Sequence, residues 1–211
     1  MTETFEKPAL SSRPPPGARP RSIIPPEHES WDAPEPPNKV DKSRVSPPDA
    51  RRLPPIGEQI SAIRRSHDRD EVAQLACRAA TTVARCAVLL ALRKDVLRGW
   101  DGWGGSLSKD GVRNLWIPTK SPSLFREALS SKSTRRAGGG HSTAADALFR
   151  AAVSSRGGEL VLCPIVAGGR VVAVLAADDV SFGDAGVERL ETLARAVGEA
   201  FERIIVDTKN R

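Results

Sequence analysis

Apolar positions concentrate most strongly between Glu159 and Ile205. Two apolar runs, Leu160 to Val166 and Val171 to Ala177, flank Ala167-Gly168-Gly169-Arg170. Glycine enters positive φ without steric cost, so the pair predicts a tight hairpin turn between two strands. Neither run alternates with polar residues, which predicts strands covered on both faces near the centre of a sheet. A helix is expected from about Asp184, with Val187, Leu190, Ala194, Val197, Phe201 and Ile204 on one stripe and Glu188, Arg195, Glu199 and Glu202 facing away.

Upstream, Ile56, Ile60 and Ile63 mark a helix edge that ends in Arg64-Arg65-Ser66-His67. Asp68, with Glu71 three residues on, predicts a capping box for a second helix carrying Val72, Leu75, Ala76, Ala79 and Val83. Cys86 to Leu92 reads as a buried strand, Lys94-Asp95 as a turn and Val96 to Trp100 as its partner. The Asp101 to Ser106 stretch breaks the pattern. Val112 to Ile117 predicts a third strand, and Ser121 to Leu129 a short helix with Pro122 at its first position. Ser130 to Gly140 reads as a mobile basic loop, and Thr143 to Val153 as a further helix.

Composition separates the first quarter of the chain from the rest. Of 17 prolines, 14 lie in residues 1–55. Proline removes a backbone donor and restrains its predecessor, and apolar residues are sparse here, so a disordered proline-rich arm is expected. Its role as a passive linker or as a partner ligand stays open. Trp31, alone in an acidic stretch, is a candidate docking anchor. Cys77, Cys86 and Cys163 sit in apolar patterns with no metal-ligand spacing. Together with an N-terminus lacking a secretory pattern, they fit reduced thiols in a cytoplasm. No run is long and apolar enough for a membrane span.

Several stretches together resemble a GAF domain, the small-molecule sensory module. They are Asp70-Glu71-Val72, Cys86–Leu92 with Gly99-Trp100, Leu115-Trp116-Ile117-Pro118, Ser123-Leu124, Leu162 to Val166, Gly169 to Leu175, Phe182, and Leu190–Ile204 with Phe201-Glu202-Arg203. The resemblance implies an α/β (α+β) fold with a GAF-like central antiparallel sheet flanked by helices. It places the arm at 1–55 and the domain at 56–211, with its core at 69–205. It also implies a sensory or regulatory role without enzymatic activity. The Asn-Lys…Phe…Asp-Glu signature of members that bind cyclic nucleotides is missing, as are the grouped cysteines of the methionine-sulfoxide reductases of this fold. The cofactor is left unassigned.

Candidate chemistry is sparse. Gly138 to Thr143 lacks the lysine and the preceding strand of a phosphate loop, leaving only a helix N-terminus able to attract an anion. His28, His67 and His141 have no triad or metal partners in the pattern, so no catalytic or metal residue is assigned. Charge is more informative. The chain carries a net +6, and residues 109–136 hold seven basic against two acidic residues. In the GAF resemblance this segment caps the ligand pocket. Trp103, Trp116, Phe125, Arg126, Arg135, Arg136 and His141 are therefore the candidate ligand-binding residues, for a small anionic ligand or an acidic protein partner. Without a helix–turn–helix or a regular basic stripe, nucleic acid is disfavoured. The terminal helices are the candidate surface for a homodimer.

Overall fold

The computed structural model describes residues 53–139 and 143–210. The expected arm lies outside the described residues except for Leu53, Pro54 and Pro55. The elements in chain order are α1 (Gly57–Arg65), α2 (Arg69–Ala80), β1 (Ala84–Arg93), β2 (Val96–Gly104), α3 (Lys109–Arg113), β3 (Trp116–Pro118), α4 (Leu124–Ser131), β4 (Arg135–Ala137), α5 (Ala144–Ala152), β5 (Leu160–Ala167), β6 (Arg170–Val180) and α6 (Gly183–Lys209).

The strands form one sheet in the order β3-β2-β1-β6-β5-β4. Every neighbouring pair is antiparallel. The Gly168-Gly169 turn holds positive φ at both positions, 58° and 75°, as its hairpin requires. The unbroken apolar runs have the expected cause. Leu89, Cys163, Ala173 and Leu175 face α2 and α6, whereas Val88, Leu90, Leu162 and Val174 face α3, α4 and α5. The fold is therefore α+β, a central antiparallel sheet with helices on both sides.

The long helix α6 packs on two sides. Its stripe at Leu190, Ala194, Val197 and Phe201 is buried, and so are Leu193, Ala196, Ala200 and Ile204. The additional contacts come from α2, which lies on the sheet beside α6, and from α1, which packs against both helices. Arg203 ties this layer together by donating to the carbonyls of Arg64 and Ser66 at the end of α1, and Arg189 donates to the Pro54 carbonyl.

Five expectations from the sequence are corrected. The glycine-rich stretch after Trp100 continues β2 to Gly104, because Gly102 and Gly104 let β2 lie against side chains and backbone of its neighbours. Val112 and Arg113, expected to begin the third strand, instead end a helix that starts at Lys109. Ser108 accepts the amide of Gly111 and nucleates the turn, so β3 shrinks to three residues. Ser123 caps α4, so Pro122 precedes the helix. The expected loop at 130–140 contains β4, an edge strand paired to β5. At α2, Asp68 caps as expected, but Glu71 turns away from the box and accepts the Ser66 hydroxyl at 2.6 Å.

Candidate functional site

The candidate residues of the basic segment do not converge. Phe125 is fully buried and meets Phe149 edge to face, with ring centroids 5.5 Å apart. Trp116 is 54% exposed at the sheet edge under the Arg98 guanidinium, 5.0 Å from the ring centre. Trp103 is 43% exposed, and Arg78 lies over it at 4.3 Å. Arg126 donates to the Lys120 carbonyl. Arg135 lies 3.9 Å from Glu127. Arg136 bridges Glu159 at 2.8 Å and Asp184 at 2.5 Å, which raises its pKa further above the ordinary arginine value. His141 lies outside the described residues.

Between the sheet and the described part of the basic segment lies a cluster of buried apolar side chains. Phe125 and Phe149 meet Leu97, Ile117, Leu160 and Leu162, all without solvent exposure. Leu148 of α5 points outward and is 46% exposed. The N-terminus of α5 already holds an anion of its own. The Asp146 carboxylate accepts the backbone amides of Thr143 and Leu124 and closes a capping box with Thr143. A helix dipole satisfied in this way has little left to offer an external phosphate.

A polar cluster not anticipated from the pattern lies at the end of β6. Asp178 is fully buried and pairs with Arg85 at 2.7 Å. The Ser155 hydroxyl donates to it at 2.6 Å, and Arg150 lies 3.6 Å away. Arg150 also donates to the carbonyls of Ala137, Gly138 and Gly158. The cluster thereby joins β1, β6, α5 and the two loops beside them. The sequence signal was an aspartate closing an otherwise apolar strand.

Unpaired charge gathers elsewhere, in an open groove of about 540 Å3 between α2, the β2 bulge and α3. Arg93 and Arg98 line it from the β1–β2 hairpin, and Lys109 and Arg113 from α3. The half-buried Trp100 forms part of its wall. Lys109 and Arg113 belong to the basic segment singled out from sequence, but Arg93 and Arg98 were not anticipated.

No family model and no curated protein sequence matches the chain. Solved structures do. One is residues 122 to 287 of a methyl-accepting chemotaxis protein, at 20% identity and a TM-score of 0.58, covering 70% of this chain and 97% of that one. Another is a GAF domain/HD domain protein from Geobacter sulfurreducens, at 15% identity and a TM-score of 0.56, covering 70% and 98%. The fold is that of GAF domains. A third match is the free methionine-R-sulfoxide reductase from Neisseria meningitidis, solved with its substrate, at 18% identity and a TM-score of 0.57, covering 75% and 91%. On the GAF fold of the present chain, all three cysteines are buried. Burial pushes the Cys86 thiol up to about 11 and the Cys163 thiol up to about 12, and raises that of Cys77 as well.

Proposed function

We propose that the chain is a regulatory module of signal transduction that takes its input on its outer surface and catalyses no reaction. The observation that carries this reading is the packed interior of a GAF fold. It is supported by the buried Phe125 and Phe149, two apolar rings on the face of the sheet where a small anionic ligand was expected under the 109–140 segment. Buried thiols held in the protonated form supply no nucleophile at neutral pH, which supports a role other than reduction. The domain of this reading is 56–211, preceded by a proline-rich arm at 1–55, in a cytoplasmic protein. Among the described residues, no helix is long and apolar enough to cross a membrane.

Native mass spectrometry of the purified chain tests the reading. The mass of the bare polypeptide is expected. A small molecule that stays bound through gentle desolvation and is lost on denaturation would restore an interior site.

A second reading is favoured by the exposed arginine–tryptophan pairs at Trp103 and Trp116. Such pairs are suited to contacts with another protein, since tryptophan and arginine are enriched at interface centres. The chain would then be an adaptor that docks acidic partners through its basic surface and its arm. Pairing of terminal helices between two copies belongs to either reading. Val206, exposed near the end of α6, is a contact available for it. Sedimentation over a range of concentrations tests the pairing, and a concentration-independent monomer would discard it.

A further inference from the structure

We propose that the groove between α2 and α3 binds a small ligand carrying two or more phosphates. This rests on the surface-input reading and names the chemistry of the input. The groove is lined by carboxylates and by cations, and the two sets differ in what they already do. Asp68 accepts the amide of Asp70 at 2.9 Å. Asp70 accepts the indole N–H of Trp100 at 2.6 Å. Glu71 accepts the Ser66 hydroxyl, and Asp101 accepts the amide of Gly102 at 2.7 Å. Each carboxylate on the groove is thus held in place by a neutral donor of the fold, which leaves its charge, so the ionisable lining is formally balanced at four acidic against four basic groups.

The four cations are not so held. The side chains of Arg93, Arg98, Lys109 and Arg113 have no hydrogen bond or ion pair to another described residue, and among them only that of Arg98 has a ring contact, with Trp116. Elsewhere in the basic segment Arg136 pairs with Glu159 and Asp184, and Lys120 with Asp95. With the carboxylates fixed by the fold and the four cations tied to no acid, the cations are the groups of the groove left to contact a ligand of high negative charge.

Backbone geometry places the two cationic edges together. Gly99 of β2 lies so close to α3 that an added Cβ would stand 1.8 Å from the Val112 carbonyl oxygen. Its absence lets α3 sit directly on β2, which brings Lys109 and Arg113 to the groove that Arg93 and Arg98 line from the hairpin. Three of the four cations are arginines, whose planar fork matches phosphate oxygens in pairs. The volume, about 540 Å3, is that of a small-molecule site.

The test is titration of the full chain with sodium triphosphate, pyrophosphate and orthophosphate at low ionic strength. Calorimetry and 15N amide shifts serve as readouts. Saturable one-to-one binding is expected, strengthening with ligand charge, with shifts at residues 93, 98–100 and 109–113. Two independent double variants, Arg93→Gln with Arg98→Gln and Lys109→Gln with Arg113→Gln, are each expected to weaken triphosphate by roughly 100-fold, about tenfold per cation. Arg156→Gln with Arg170→Gln removes the same charge from other exposed positions and is expected to change affinity less than about threefold. Equal weakening in all three variants would reduce the effect to the general field and overturn the site. So would the absence of saturation, or tighter binding of hexaglutamate than of triphosphate, which would assign the groove to a protein segment. An interior adduct in native mass spectrometry would instead overturn the surface-input reading, independently of the titration.

Discussion

Trp100 stacks on Phe201, with ring centroids 5.3 Å apart and planes 18° from parallel. Because the same indole donates to Asp70, one side chain connects β2, α2 and α6. The terminal helix is thereby coupled to the wall of the groove, and the two interactions of Trp100 can be separated by substitution.

Trp100→Phe keeps an aromatic face for Phe201 and loses the hydrogen bond to Asp70. A loss of about 1 kcal/mol is expected. Trp100→Ala removes the stack as well, with an expected loss of about 3–5 kcal/mol. Urea unfolding measures both. Equal losses in the two variants would show that the hydrogen bond alone matters.

Gly198 faces the backbone of β5, and a Cβ there would stand 2.4 Å from the Val166 carbonyl oxygen. Helix propensity favours alanine by roughly 1 kcal/mol, while forcing the helix off the strand costs about 1–3 kcal/mol. Gly198→Ala is therefore expected to destabilise. Gly57, in the first turn of α1, has nothing within 4 Å of an added Cβ. Gly57→Ala is expected to stabilise by about 0.5 kcal/mol. Opposite signs in denaturant midpoints check the pair.

Asp178→Asn would leave Arg85 and Arg150 beside a neutral amide in a buried setting. Breaking a buried ion pair in this way costs about 3–5 kcal/mol. Asp184→Asn, which touches only the exposed Arg136, is expected to cost less than about 1 kcal/mol. Thermal unfolding of the two variants side by side distinguishes buried from exposed pairing.

The three thiols make stability depend on alkaline pH. A cysteine freed by unfolding ionises near 9, whereas folded Cys86 and Cys163 hold their protons to about 11 and 12. The unfolded chain therefore binds fewer protons over that interval, and stability falls as pH rises from about 9 towards 12. Below pH 9 this contribution is fully present. Ellman's reagent at pH 8 is expected to leave the native thiols unmodified and to label them on unfolding. Rapid labelling of the native chain would contradict their burial.

The hairpin at Gly168-Gly169 and the stripe of α6 were legible because they are local. A turn needs its own φ angles, and a buried helix face needs its own spacing. The helix at 109–113 was not legible from hydrophobic pattern, since Val112, Leu115 and Ile117 fit a strand equally well. The choice came from the Ser108 cap and from the contact between Val112 and Gly99. The candidate site was less legible still. Phe125 and Trp116 look alike in a pattern of aromatics, yet one fills the interior and the other stands at an exposed sheet edge.

The α+β class was implied by the GAF resemblance, and from the pattern itself came the closing hairpin with its turn, the terminal helix and the surplus of charge in residues 109–136. The latter follow from periodicity or composition, which neighbouring residues set among themselves. Only the tertiary structure decided which charges are paired. Arg136 meets Glu159 and Asp184 across 23 and 48 residues of chain, and Arg85 meets Asp178 across 93. Coulomb attraction depends on distance in space, and the fold, by bringing distant residues together, determines which cations are neutralised and which remain in the groove.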